Sequence, residues 1–162
     1  MTPPSREKPR LEPAAAVPAG IPSLSDELPR AHWILSNGCG WRVALSQNNK
    51  DVPPEILDAP SGVIFVGLYH GAVAALSPHD GHFIARIAFP LGGGVSWREL
   101  PGFVIAEGEM TVAVFRPSGE FLWQATAADV IESIELKDEA LHIVDASGYV
   151  YDHDITTGKM RK

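Results

Sequence analysis

Short runs of apolar residues, separated by turn residues, recur along most of this chain. The clearest case is residues 62–89, where VIFVGL, AVAALS and HFIARIAF are separated by turns at residues 69–71 and 77–81. The runs contain many β-branched and aromatic residues, and several alternate with period two, as β-strands do. The pattern predicts consecutive antiparallel strands and little helix, and only residues 125–135 suit a helical turn.

The arrangement repeats with a period of about 38 residues. Three equivalent strands open with an apolar residue: Val63, Phe103 and Leu141. Three equivalent hairpins close with a glycine: Gly81, Gly119 and Gly158. A repeat of this length with four short strands is typical of a β-propeller blade. We therefore predict an all-β fold of about four short, four-stranded antiparallel blades, a small or partial β-propeller whose last strand is KMRK at residues 159–162.

The first 22 residues differ from the rest of the chain. They hold six prolines and no apolar period. Proline removes a backbone donor and restricts the residue before it, so such a segment forms regular structure poorly. We predict a disordered, Pro-rich N-terminal arm over residues 1–22 and a β-propeller-like repeat domain over residues 23–162. The first repeat has no good candidate for a fourth strand.

Four blades leave three ways to cover the apolar faces of the outermost sheets. In the first, the four sheets close into a compact ring and the N-terminal segment completes a blade. In the second, two chains combine as half-propellers into an eight-bladed ring. In the third, an open stack presents its faces to another protein. Uncovered sheet faces and edges promote association. The second and third arrangements therefore predict an oligomer or a complex.

The repeats resemble those of quinoprotein-type (PQQ-like) β-propellers, relatives of WD-repeat architecture. The family pattern is a Gly-led apolar strand, a turn ending in Gly, and a closing strand with Trp four residues later. The matching segments are 71–76 followed by 77–81, 112–115 followed by 117–119 with Trp123, and 148–151 followed by 154–159. The Trp is replaced by Ala85 and Lys162 in the other repeats. The resemblance covers residues 55–162 well and residues 23–54 loosely, and it implies the fold. No residue matches the quinone- or metal-binding positions of that family, so we predict no cofactor.

Charge is distributed unevenly. The formal net charge is −7. The segment from Asp129 to Asp154 contains eight acidic residues and a single basic residue, Lys137. Sequence-independent nucleic-acid binding needs a basic face, so we predict no nucleic-acid partner. An acidic surface either aids solubility or complements a basic partner. The candidate protein-binding residues are Asp129, Glu135, Asp138 and Glu139, with the neighbouring Glu132 and Ser133.

Membrane and export signals are not evident. The sequence has no apolar run of 18 or more residues, and prolines and charges interrupt the N-terminus. A single cysteine, Cys39, makes no internal disulfide, which fits a reducing compartment. We expect a cytoplasmic protein without a membrane partner.

Three histidines are the weak candidates for metal binding: His70, His79 and His82. Tetrahedral zinc needs three or four ligands within reach. A simpler interpretation makes His79 a turn residue beside the Asp80-Gly81 turn signal and His82 the start of a strand. We therefore predict no metal site and no catalytic residues.

Three functional hypotheses follow. The first is a non-enzymatic protein-binding or assembly module that binds another protein, of which a small acidic inhibitor or immunity-type protein masking a basic toxin is a specific version. The second is a sensor or enzyme that binds a small ligand at the centre of the ring, in a pocket with convergent polar groups. The third is a structural half-ring that binds a second copy of itself.

Overall fold

The computed structural model describes residues 7–26, 29–69, 71–90 and 93–162. Over these ranges the chain forms strands, turns and loops without a helix, and the strands make four sheets. The predicted all-β fold of about four short blades is confirmed. Residues 125–135, the segment suited to a helical turn, instead hold the end of one strand, a loop and the start of the next.

Sheet I is built from the N-terminal third of the described chain. Its strands are β1 (Arg10–Ala14), β2 (Ser23–Ser25), β3 (Ala31–Ser36) and β4 (Arg42–Gln47). They lie in the order β1-β3-β4-β2, with β2 parallel to β4 and the other pairs antiparallel.

Strand β1 lies inside the stretch predicted as a disordered arm, so the structure differs from that prediction at residues 10–14. The physical reason is the pairing of β1 with β3, which places Leu11 opposite Leu35 and packs it against the first apolar core. Pro13 is tolerated because β1 is an edge strand, where a missing donor breaks little of the ladder.

Sheets II and III are regular antiparallel meanders. Sheet II consists of β5 (Glu55–Asp58), β6 (Ile64–Gly67), β7 (Ala72–Leu76) and β8 (Phe83–Ala88). Sheet III consists of β9 (Ser96–Leu100), β10 (Phe103–Glu107), β11 (Thr111–Phe115) and β12 (Phe121–Thr126). Their central strands are almost wholly buried because both faces are covered by neighbouring sheets.

Sheet IV has three strands where four were predicted: β13 (Ile131–Lys137), β14 (Ala140–Asp145) and β15 (Val150–Asp154). The KMRK segment contributes only an isolated bridge between His153 and Met160. Asp152 and Asp154 also bond Arg161 and Lys159 through the backbone, at 2.7 and 2.9 Å. The segment thus follows β15 for a few residues and does not form a strand.

Three apolar clusters join consecutive sheets. The first lies between sheets I and II, the second between II and III, and the third between III and IV. In the described residues no such cluster joins sheet IV to sheet I, so the sheets are not closed into a ring. The compact four-bladed ring considered above is therefore wrong for this chain, and the structure is an open, propeller-like stack.

Tryptophans connect two of the three junctions. Trp41 of sheet I lies against Gly81 and donates Nε1–H to the Pro78 carbonyl at 3.0 Å. Trp123 of sheet III lies against Gly158 and donates to the Ile155 carbonyl at 2.8 Å. Each indole therefore packs on the glycine turn of the following sheet. A side chain at either glycine would collide with the indole.

The junction between sheets II and III is built differently, because Ala85 stands where the repeat would place a Trp. Here Ile84 lies against Gly119, with 3.0 Å between Ile84 Cδ1 and an ideal Cβ at the glycine. In place of an indole, this junction contains an aromatic cluster of Phe65, Trp97 and Phe115, whose ring centroids are 5.3 to 5.9 Å apart. The predicted role of tryptophans in packing is confirmed for Trp33, Trp41 and Trp123, which are buried.

Candidate functional site

The outward face of sheet IV is the most distinctive surface of the stack. Period two sends Leu141 and Ile143 towards sheet III, so their neighbours on the strands point away from it. Across the three strands, Glu135 pairs with His142 and His142 with Asp152, which makes one polar row. The next row on this face is Ser133, Val144 and Val150. No other sheet among the described residues covers this face.

A hydrogen bond and an ion pair organise the polar row. His142 Nδ1 lies 2.5 Å from Asp152 Oδ1, and Lys137 Nζ lies 2.5 Å from Glu135 Oε2. The Lys137 ammonium lowers the pKa of the Glu135 carboxyl through a hydrogen bond and its charge, and Glu135 raises the pKa of Lys137 in return. Both partners are more than half exposed, so water and salt screen this attraction. Carboxylates outnumber permanent cations on the face, which leaves it acidic.

A buried aspartate shapes the end of the face. Asp145 is fully buried, and its carboxylate accepts bonds from Ser147 Oγ at 2.6 Å and from Tyr151 Oη at 2.9 Å. It also accepts from the Tyr149 amide at 3.0 Å. These donors, the Ser147 hydroxyl first, lower the pKa of Asp145. The network holds Tyr149 and Tyr151 with ring centroids 4.7 Å apart at the start of β15.

Apolar groups are exposed at the same end. Tyr149 is 57% exposed, and Val150 and Val130 are 43% and 40% exposed. An exposed aromatic beside exposed valines and carboxylates is a common composition for a protein-contact surface. Val150 thus gives the outward face an apolar end beside its acidic centre, while Tyr149 stacks on Tyr151 on the side that packs towards sheet III.

The predicted protein-binding residues do not form one patch. Glu135 lies in the polar row of this face, and Asp129, Glu132 and Ser133 are exposed at one end of sheet IV. Asp138 and Glu139 form the hairpin turn at the other end, with φ of 46° and 61°. The sequence prediction missed Asp152 and His142, which register places beside Glu135. His142 follows the apolar Leu141, and Asp152 follows Tyr151. This alternation was the sequence signal that could have placed His142 and Asp152 on the outward face.

The candidate metal-binding histidines are not brought together. His79 and His82 are both exposed at the β7–β8 turn, and His82 Nδ1 lies 2.6 Å from Asp80 Oδ1. This hydrogen bond, together with those from the Ser77 side chain and the His82 backbone, lowers the pKa of Asp80 to about 2. His70 lies outside the described residues. Across the described chain, no three His, Cys, Asp or Glu side chains are grouped for a metal ion.

A cleft of about 410 Å³ opens between sheets III and IV, at the end opposite the Trp123 junction. Arg98 is its only lining cation among the described residues, facing Glu107, Glu109 and Glu132. Arg98 Nε lies 2.6 Å from Glu107 Oε1, and Arg98 also donates to the Ile134 carbonyl at 2.7 Å, which ties the two sheets together. Burial raises the pKa of Glu107, and the charge and hydrogen bond of Arg98 offset part of that rise. Sequence reasoning did not find this pair, because each residue is one charge in an ordinary strand pattern.

Comparison with known proteins finds structural similarity at low sequence identity. No protein-family model matches the chain, and no curated protein matches it. Among solved structures, the computationally designed Ika4 protein has a TM-score of 0.41 at 16% identity, covering 62% of this chain and 64% of its own. The designed Ika8 protein has a TM-score of 0.45 at 13% identity, covering 81% of this chain and 45% of its own.

BamB from Moraxella catarrhalis has a TM-score of 0.45 at 16% identity, covering 92% of this chain and 52% of its own. This chain therefore spans about half to two-thirds of the length of these three structures. In the described chain no helix has the length and apolar character needed to cross a membrane.

Proposed function

We propose that this chain is a non-enzymatic protein-binding or assembly module whose binding surface is the outward face of sheet IV. One observation carries the proposal: in the described residues this face is left uncovered at the end of an otherwise stacked structure, and it joins exposed Val150 to the Glu135–His142–Asp152 row. Apolar contact supplies affinity at such surfaces, and charge supplies specificity.

The chemistry of the face favours a basic partner. Glu135, Asp152 and Asp154 supply three carboxylates, against the Lys137 ammonium beside Glu135 and the Arg161 guanidinium beside Asp154. Long-range attraction to a basic surface speeds association, and like charge suppresses acidic competitors. An acidic inhibitor or immunity-type protein that masks a basic toxin is the specific version that this charge supports.

Affinity enrichment with a matched set of variants tests the proposal. The wild-type chain is compared with a Glu135→Lys and Asp152→Lys double variant, and with Glu99→Lys, which reverses an exposed charge on sheet III. Proteins retained by the wild type and Glu99→Lys but lost with the double variant support the proposal. Identical recovery with all three chains contradicts it. Circular dichroism shows that each variant is folded.

Self-assembly is measured in the same preparations by light scattering. On the face of sheet I that points away from sheet II, Ile34, Ala44 and Ser46 are buried, and His32 Nδ1 lies 2.8 Å from Ser46 Oγ. A mass near 17.4 kDa supports a module that binds a different protein. A stable dimer supports the half-propeller hypothesis instead.

The cleft between sheets III and IV favours a second candidate function, the binding of a small cationic ligand. Three glutamates and one arginine line it, and Glu107 is held partly buried with a raised pKa. Such convergent, perturbed groups mark ligand sites in general. Calorimetric titration with putrescine as the diamine probe, and with succinate as the opposite-charge control, tests it. Heat with putrescine that disappears in Glu107→Gln supports this candidate, and no heat contradicts it.

A further inference from the structure

The turn between β3 and β4 contains the dipeptide Asn37-Gly38, in which Asn37 is half-buried and Gly38 is exposed. The chain has three asparagines, and the other two, Asn48 and Asn49, are not followed by glycine. An asparagine before a glycine is chemically labile, because the nitrogen of the next residue attacks the side-chain amide carbon and glycine has no side chain to hinder that approach. The turn therefore contains a dipeptide with a reaction of its own.

Hydrogen bonding in the turn favours this attack. Cys39 N–H donates to Asn37 Oδ1 at 3.1 Å, which closes an Asx turn around Gly38. When a nitrogen adds to Asn37 Cγ, negative charge develops on Oδ1, and a donor that already points at this oxygen stabilises the charge. Among the described residues, no backbone hydrogen bond engages Gly38 N–H. The nitrogen that must attack is therefore not held by another acceptor.

We propose that Asn37 is a site of spontaneous deamidation and that this modification weakens the junction between sheets I and II. The Gly38 nitrogen forms a bond to Asn37 Cγ, the bond from Cγ to Nδ2 breaks, and Nδ2 leaves as ammonia with the Gly38 amide proton. Water then opens the cyclic imide at either carbonyl, which gives aspartate or isoaspartate at position 37. Water is the only co-reactant, and no group is oxidised or reduced. The site uses none of the residues of the proposed binding surface.

The amide nitrogen that leaves in this reaction is part of the junction between sheets I and II. Asn37 Nδ2 donates to the Pro78 carbonyl at 3.1 Å, and Trp41 Nε1 donates to the same oxygen at 3.0 Å. A carboxylate at position 37 has no proton to donate, and it brings negative charge beside the Pro78 oxygen. In the described chain, Trp41 is then the remaining donor to Pro78, and a repulsive contact replaces an attractive one.

A second turn of the same chain is a matched control for this chemistry. Asp51 N–H donates to Asn49 Oδ1 at 2.8 Å, so Asn49 makes the same Asx turn as Asn37. The residue that follows Asn49 is Lys50, whose side chain hinders the approach of its backbone nitrogen. Within the part of the chain that the structure describes, Asn49 Nδ2 donates to no acceptor, so its loss removes no contact.

Incubation of the full chain at neutral pH, with peptide mapping by mass spectrometry at intervals, measures the reaction. Trypsin separates the two turns, because Asn37 lies in the peptide 31–42 and Asn49 in the peptide 43–50. We expect Asn37 to deamidate roughly tenfold faster than Asn49, because only its neighbouring nitrogen has free access to Cγ. Lys50→Gly gives the second turn the same dipeptide and is expected to raise the rate at Asn49 towards that at Asn37. Equal rates in the wild-type chain, or an unchanged rate in Lys50→Gly, would overturn the proposal.

Urea unfolding measures the effect on the junction. Asn37→Asp reproduces one product of the reaction, and Asn49→Asp adds the same charge at the control turn. We expect a lower urea midpoint for Asn37→Asp than for Asn49→Asp. Trp41→Phe should lower the midpoint more in the Asn37→Asp background than in the wild type, because Pro78 then lacks both donors. Equal midpoints for the two Asp variants, or additive effects of Asn37→Asp and Trp41→Phe, would overturn the proposed weakening of the junction.

Discussion

Gly158 lies directly against the indole of Trp123. A Cβ at position 158 would come within 2.5 Å of Trp123 Cγ, and the glycine itself has a φ of 70°. The same relationship joins Gly81 to Trp41, with 2.7 Å to Cε3. Each glycine serves two purposes, because it permits the left-handed backbone of the turn and leaves room for an indole from the preceding sheet.

These two purposes can be separated by substitution. Gly148→Ala strains only the left-handed backbone, because Gly148 has a φ of 80° and an added Cβ would have no atom within 4 Å. We expect it to lower the free energy of unfolding by about 1–2 kcal/mol. Gly158→Ala also displaces Trp123, which adds about 1–3 kcal/mol. Urea unfolding measures both, and equal losses would show that the indole contact carries no energy.

The indole N–H groups at the junctions predict a second set of effects. Trp123→Phe leaves the Ile155 carbonyl without its donor, and we expect it to cost about 1–3 kcal/mol. Trp41→Phe leaves the Pro78 carbonyl with the 3.1 Å bond from Asn37 Nδ2, and we expect it to cost less than Trp123→Phe. Trp97 is the matched control, because its buried Nε1 has no partner among the described residues. Trp97→Phe removes an unsatisfied donor and is expected to cost less than Trp123→Phe. Thermal unfolding that ranks Trp97→Phe as the most damaging would contradict this account.

Much of the fold could be predicted from the sequence because its strands are regular. The apolar runs and the spacing of Gly81, Gly119 and Gly158 predicted the hairpins. The partner of each Trp could not be predicted, since Trp123 follows Gly119 by four residues in sequence yet packs on Gly158 of the next sheet. Repeat spacing describes one sheet, whereas this contact belongs to the packing of two.

The candidate surface was harder to predict for a similar reason. The acidity of residues 129–154 was evident in the sequence, yet one of those acids, Asp145, is fully buried in a turn network. The row of Glu135, His142 and Asp152 depends on strand register, which composition does not contain. The strand Arg10–Ala14 was missed because Pro13 and the prolines around the strand argued against pairing, while an edge position tolerates Pro13.

The β13–β14 hairpin is open to stabilisation. Asp138 and Glu139 occupy its turn with φ of 46° and 61°, a conformation that favours glycine and is costly for Glu. Glu139→Gly relieves that strain and keeps the carbonyl that accepts from Ile155 N–H at 2.9 Å. We expect a gain of about 1 kcal/mol in the free energy of unfolding. Asp138→Gly is the control, and we expect it to gain less because Asp tolerates the left-handed backbone region better than Glu. A loss of stability in Glu139→Gly would refute the assignment of strain.

Acid should weaken the fold through Asp145. The Ser147 hydroxyl, with Tyr151 and two backbone amides, lowers the pKa of this carboxyl in the folded chain below its ordinary value of 3.8. A lowered folded-state pKa means that the unfolded chain binds the proton more readily, so this stabilisation is present above about pH 4 and is lost as the pH falls through the folded-state pKa. Asp145→Asn lacks the ionised acceptor at every pH. We therefore expect it to be less stable than the wild type at pH 6, with the difference shrinking towards pH 2. Thermal unfolding of both chains between pH 2 and 6 measures this, with Asp129→Asn as an exposed control, and a constant difference would show that Asp145 does not titrate with folding.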